Sequence, residues 1–152
     1  MDISYRRGVG IFLISKQKKI WVGKRIDSDS YWQMPQGGID SCETELQAMR
    51  RELKEETGIV NIKILASTEK WLKYDLPSEL RKKTWDGKYK GQIQKWYACQ
   101  FLGQDKEINI NEKKPEFKDW KWVTPQSIID NVIPFKKKMY LDILESFKTF
   151  YF

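Results

Sequence analysis

Gly37-Gly38-Ile39-Asp40-Ser41-Cys42-Glu43-Thr44-Glu45-Leu46-Gln47-Ala48-Met49-Arg50-Arg51-Glu52-Leu53-Lys54-Glu55-Glu56-Thr57-Gly58-Ile59 is the stretch that organises this chain. At about 100° per residue, Glu52, Glu55 and Glu56 share one arc of a helix, while Leu46, Met49 and Leu53 fall on a neighbouring face directed at a core. Acidic pairs at these spacings cost an isolated helix about 0.2 to 0.5 kcal/mol each, so the arc is expected to be held together by a divalent cation. Asp40 or Ser41 is expected to cap the first turn, with Glu43 placed after Asp40 as in a capping box, and Gly58 to end the helix. Glu43 lies near the far side of the helix from Glu52, which assigns it a structural role.

The chain has 0 histidines, which excludes imidazole metal ligands, histidine bases and Ser-His triads. Carboxylate oxygens suit Mg²⁺ or Mn²⁺, whereas zinc prefers nitrogen or sulfur. Cys42 and Cys99 form no CxxC pair and read as reduced thiols. The sequence shows no signal peptide, lipidation motif or long apolar run, so the expected location is the cytoplasm and no membrane is expected as a partner. The formal charge of +7 suits a polyanionic substrate, and it also favours solubility. Most of Trp21, Trp71, Trp96, Trp120 and Trp122 are expected in the core rather than as base-stacking surfaces.

The pattern along the chain predicts a single mixed α/β domain spanning 1–152, without repeats. Strands are expected at Val9 to Ser15, Ile20 to Arg25, Ile62 to Ser67, Gln92 to Leu102 and Trp120 to Val123, the first two forming a hairpin around Lys16 to Lys19. Tyr74 to Gly91, rich in Lys, Arg and turn formers, is expected to be a mobile lid or substrate loop, or else an ordinary solvated loop. Thr124-Pro125 reads as the start of a helix whose apolar stripe is Phe135, Met139, Tyr140, Ile143, Leu144 and Phe147.

The opening stretch resembles the Nudix box at every fixed position: Gly37, Glu43, Arg51, Glu52, Leu53, Glu55, Glu56, Gly58 and Ile59. The resemblance implies the Nudix fold, a mixed β-sheet sandwiched between α-helices, and a hydrolase cleaving a diphosphate linked to another moiety. Tyr5-Arg6-Arg7-Gly8-Val9-Gly10, Trp32-Gln33-Met34-Pro35-Gln36, Trp71 to Pro77, Gln94-Lys95-Trp96-Tyr97, Pro115-Glu116-Phe117 and Phe135-Lys136 extend the likeness. They make nearly the whole chain similar to bacterial RNA pyrophosphohydrolases and the related diadenosine polyphosphate hydrolases, which include invasion-associated proteins. The sequence departs from that branch at Arg7-Gly8, where Pro-Asn is usual, and at Met34, where an aromatic is usual.

Carried over by this resemblance, Glu52, Glu55 and Glu56 coordinate the metal, and Glu116 is a fourth catalytic carboxylate. Glu116 either ligates a second metal or orients and deprotonates water, and a helix glutamate is the alternative base. Arg6, Arg25, Gly37, Tyr74, Phe135 and Lys136 are the implied substrate-binding residues. Gly37, Glu43, Arg51 and Gly58 shape the motif, with Glu43 bracing the loop through Arg51. The expected substrate is 5′-triphosphorylated RNA, cut to a 5′-monophosphate as a step in RNA decay; the alternative is a dinucleoside polyphosphate, yielding ATP and a shorter adenine nucleotide. A non-catalytic RNA-binding module and a hydrolase of damaged nucleoside triphosphates are the other readings weighed.

Overall fold

A computed structural model describes residues 4–111 and 114–152. Eight strands form one mixed sheet: β1 (Tyr5–Ile14), β2 (Ile20–Arg25), β3 (Trp32–Gln33), β4 (Gln36–Gly38), β5 (Ile62–Ser67), β6 (Leu72–Asp75), β7 (Gly91–Phe101) and β8 (Phe117–Val123). The path runs β3-β2-β1-β7-β5, with β4 paired to β1, β6 to β7 and β8 to β2. β1 and β7 run parallel from Tyr5 opposite Gly91 to Ile14 opposite Gln100, and the remaining pairings are antiparallel. β1 therefore begins at Tyr5, ahead of the expected Val9, because Arg6 and Arg7 are paired across to β7. β8 likewise starts at Phe117, which pairs with Arg25.

Alternation along β1 sends successive side chains to opposite faces, and each face is covered. Val9, Ile11 and Leu13 pack with Ala48, Met49 and Leu53 of α1 (Glu45–Thr57). Phe12 and Ile14 pack with Met139, Tyr140, Ile143 and Leu144 of α3 (Lys137–Ser146). Short helices α2 (Ser78–Arg81) and α4 (Lys148–Tyr151) complete the helical set among the described residues. This is the expected sheet sandwiched between helices, and the buried stripe of Met139, Tyr140, Ile143, Leu144 and Phe147 is as read.

Several local expectations change. The cap of α1 is Thr44, not Asp40 or Ser41: Thr44 Oγ1 accepts the Gln47 N–H at 3.2 Å and Gln47 Oε1 accepts the Thr44 N–H at 2.9 Å. Leu46 is 45% exposed, because α1 turns Ala48, Met49, Leu53 and Glu56 inward instead. Pro125–Ile129 forms only a 3-10 turn, and α3 starts after Pro134, whose ring holds Ile133 extended at ψ 134. The Tyr74–Gly91 segment is not a plain loop; it contains the end of β6, α2 and a 3-10 turn at Trp85–Gly87. Of the five tryptophans, most of which were expected in the core, Trp21 and Trp96 are fully buried, and Trp71, Trp120 and Trp122 are half-buried.

Candidate active site

β4 delivers Gln36 and Gly37 directly against α1. A Cβ at Gly37 would meet the Glu52 carboxylate, so glycine here lets that carboxylate lie directly against β4. At its far end α1 stops at Gly58, which sits at φ 73 and donates its N–H to the Lys54 carbonyl at 2.8 Å. Between these ends Arg51 acts as a hub. Its Nε donates to Glu43 Oε2 at 2.6 Å, Nη2 to Glu43 Oε1 at 2.9 Å and to the Gly38 carbonyl at 2.8 Å. Its Nη1 donates to Glu52 Oε1 at 2.7 Å and Glu55 Oε2 at 3.2 Å. Glu43 adds a bond from the Asp40 N–H at 2.9 Å, which ties the loop to the helix.

The three helix carboxylates are consequently not equivalent. Glu55 lies outward with its side chain 59% exposed, and Arg51 draws both Glu55 and Glu52 toward itself. Among the described residues no three acidic side chains already converge into a cation cage. Glu56 points inward. Burial, then the charges of Glu52 and Glu116, push its carboxyl well above the usual range, against a bond from the Gln36 backbone N–H. Its Oε2 and the neighbouring Gln36 Oε1 are buried without hydrogen-bond partners. Burial likewise raises Glu52, partly countered by Arg51.

Gln36 and Gly37 form part of the wall of a cleft of about 540 Å³ that also includes Arg6, Arg25, Tyr74, Glu116, Phe135 and Lys136. The residues implied for substrate contact, scattered from position 6 to position 136, thus meet in one place. Arg25 bridges Asp27 at 2.9 Å and Glu116 at 3.4 Å. Lys136 is buried, its Nζ 3.3 Å from Gln33 Oε1 and 5.2 Å from the Tyr74 ring centroid. Burial and then Arg25 bring its pKa down to about 7. Tyr74 and Phe135 pack at 5.6 Å, and Gln36 Nε2 donates to the Tyr74 hydroxyl at 3.4 Å. The sequence reading gave no role to Gln33, Gln36 or Asp27; their signal was adjacency to Gly37 and Arg25. Cys99 is buried and its thiol is pushed up to about 12, so it stands outside this chemistry.

A mixed sheet between helices, with a glycine-backed carboxylate helix facing a cleft of cations and aromatics, defines a phosphate-handling α/β protein. The chain belongs to the NUDIX domain family, whose pattern it matches over residues 4–143. It is 48% identical over 146 residues to the RNA pyrophosphohydrolase of Wolbachia sp. subsp. Brugia malayi, a match covering 95% of this chain and 91% of that protein. The RNA pyrophosphohydrolase of Pelagibacter ubique is 46% identical over 149 residues, covering 97% and 94%. The fold is also that of the E. coli dihydroneopterin triphosphate pyrophosphohydrolase, at a TM-score of 0.72 and 18% identity over 91% of this chain and 95% of that one. No helix among the described residues is long and apolar enough to cross a membrane.

Proposed function

We propose that this chain is one catalytic domain over 1–152 that hydrolyses the 5′-triphosphate end of RNA, leaving a 5′-monophosphate and releasing pyrophosphate, or phosphate in two steps. The observation that carries this reading is the meeting, in one cleft, of Glu116 with Arg25, Lys136, Tyr74 and Phe135, within electrostatic reach of the buried helix carboxylate Glu56. Such a cleft suits a phosphate chain attached to a base. The names of the Wolbachia and Pelagibacter relatives support the RNA substrate.

The oxygen donors present fit a hard divalent cation, Mg²⁺ or Mn²⁺: Glu56 keeps an orphan buried oxygen, and burial, then the charges of Glu52 and Glu116, raise its proton affinity beyond what Gln36 and Lys136 offset. Glu52, Glu55 and Glu56 are the residues that would hold it, with Glu55 leaving Arg51. When bound, such a cation supplies Lewis acidity at phosphate oxygens and makes water more acidic. The protein's own groups do the rest. Arg25, Lys136 and Arg6 offset charge on the phosphates, including the charge that builds on the departing group. Tyr74 and Phe135 stack the base and hold the chain in line, and Glu116 at the cleft wall accepts a proton from the attacking water. No covalent enzyme intermediate is required.

The test is a comparison of initial rates on equal concentrations of 5′-triphosphorylated RNA and diadenosine tetraphosphate, with Mg²⁺ and again after chelation. Faster, chelator-sensitive conversion of the RNA to its monophosphate is expected. Preference for the dinucleotide would make nucleotide clearance the function, and binding of RNA without any release of phosphate would make the chain a binding module.

A further inference from the structure

The cleft has a second aromatic wall. Besides Tyr74 and Phe135, the segment between β6 and β7 contributes Leu76, Leu80, Thr84 and Trp85 to the cleft lining. Arg6 Cζ lies 5.3 Å from the Trp85 ring centroid, and Tyr89 meets the same ring edge-on at 6.0 Å. Lys88 Nζ follows, 5.2 Å over Tyr89. From the rim outward, guanidinium, indole, phenol and ammonium succeed one another.

The backbone bends sharply to present this wall. Trp85, Asp86 and Gly87 have φ of 49, 56 and 74, three successive residues in the left-handed region. Glycine and aspartate tolerate that region, whereas a bulky tryptophan is sterically disfavoured there, and such outliers gather at binding sites. The indole is half-buried and lines the cleft.

The two rims also differ in charge. Across the cleft, the exposed carboxylates Asp27 and Asp29 pair with Arg25 and Lys118. Along the lid, Arg81, Lys82, Lys83, Lys88 and Lys90 outnumber Glu79 and Asp86. A polyanionic chain whose 5′ end lies among Arg25 and Lys136 must leave over one rim, and the field favours the lid.

We infer that Trp85, backed by Arg6 and Tyr89, stacks a base of single-stranded RNA on the 3′ side of the nucleotide held by Tyr74 and Phe135, and that Lys88 follows its phosphates. The inference rests on the RNA reading of the preceding subsection. Stacking on an indole is indifferent to base identity because every base offers a π face. Trp85 therefore reads length rather than sequence, and gives RNA an advantage over compact nucleotides.

The experiment compares Trp85→Ala and Trp85→Phe with the wild type on a 5′-triphosphorylated octanucleotide and a nucleoside 5′-triphosphate, which has no base on the 3′ side, after thermal melts establish that each variant folds. Trp85→Ala is expected to raise KM for the octanucleotide about tenfold, several times more than for the nucleoside triphosphate, with Trp85→Phe recovering most of the loss. Equal changes on both substrates, or none, overturn the inference. Fluorescence anisotropy of a 5′-monophosphorylated octanucleotide reads the stack without turnover: weaker binding by Trp85→Ala supports it, and unaltered binding sinks it. Absence of RNA hydrolysis by the wild type would instead sink the substrate reading, which keeps the two failures distinct.

Discussion

At the carboxylate end of the site, on the helix beside the cleft, Arg51 joins Gly38, Glu43, Glu52 and Glu55 from within one short run of chain, whereas at the cationic end, in the cleft itself, Lys136 meets Gln33 across 103 positions. The first end is built by helix periodicity, a cap and one guanidinium. The second exists only because α3 lies across the sheet, an arrangement pinned by the Tyr140 hydroxyl accepting the Met34 N–H at 2.9 Å. The difference teaches that the two ends fail differently. Carboxylates held by a local scaffold can be altered chemically with the fold intact, while a cation held by long-range packing carries its burial cost into the stability of the whole domain.

The largest effect belongs to Glu56. Glu56→Gln keeps the shape and removes a charge that burial, Glu52 and Glu116 all disfavour. Turnover is expected to fall about 10²- to 10³-fold, the scale for losing one electrostatic group aimed at the reacting centre. Thermal stability of the metal-free protein should rise at neutral pH. A carboxyl with a raised folded pKa contributes stability below its unfolded value that is lost as pH rises through the folded one. Calorimetry beside an activity assay checks both halves, and retained turnover would show that this end does not carry the chemistry.

Lys136 tests the other end. Its ordinary value of 10.5 falls to about 7 through burial and the nearby Arg25, so between those pH values the unfolded chain holds a proton that the native state lacks. Stability is full above the unfolded value and declines as pH falls through the window toward about 7. Lys136→Met is expected to flatten that dependence in denaturant titrations from pH 6.5 to 10, gaining most at the acid end. Its KM for triphosphorylated RNA should rise, since the cleft loses a cation. A variant whose pH profile parallels the wild type would show that long-range packing imposes no such cost.

The smallest effect sharpens the local side of the comparison. Thr44→Ala removes the observed cap and should cost about 1 kcal/mol, whereas Asp40→Ala should cost clearly less. Equal losses in urea unfolding would restore Asp40 as the cap.

Much of the candidate site was legible because its chemistry is written at fixed spacing. Glu52, Glu55, Glu56, Arg51 and Gly58 need only helix geometry and the left-handed freedom of glycine to find their places. The cap was misread because Asp40, Ser41 and Thr44 are all competent N-cap residues, and only the observed start of α1 chooses among them. Leu46 was misread because a helix face is set by what packs on it as well as by periodicity. The tail helix began later than expected because Pro134 interrupts it.

The sequence on its own was enough for the carboxylate helix, its glycine boundaries, the exclusion of imidazole chemistry by the lack of histidine, and the mixed α/β class. These follow from short-range rules of spacing, chirality and ligand hardness. Tertiary structure alone decided which carboxylate is buried, that Arg51 draws Glu52 and Glu55 together, that Lys136 loses its water beside Arg25, and that the segment between β6 and β7 brings Trp85 to the cleft. Each of these depends on desolvation and on contacts between segments far apart in the chain, quantities that exist only once the sheet and its helices have closed around them.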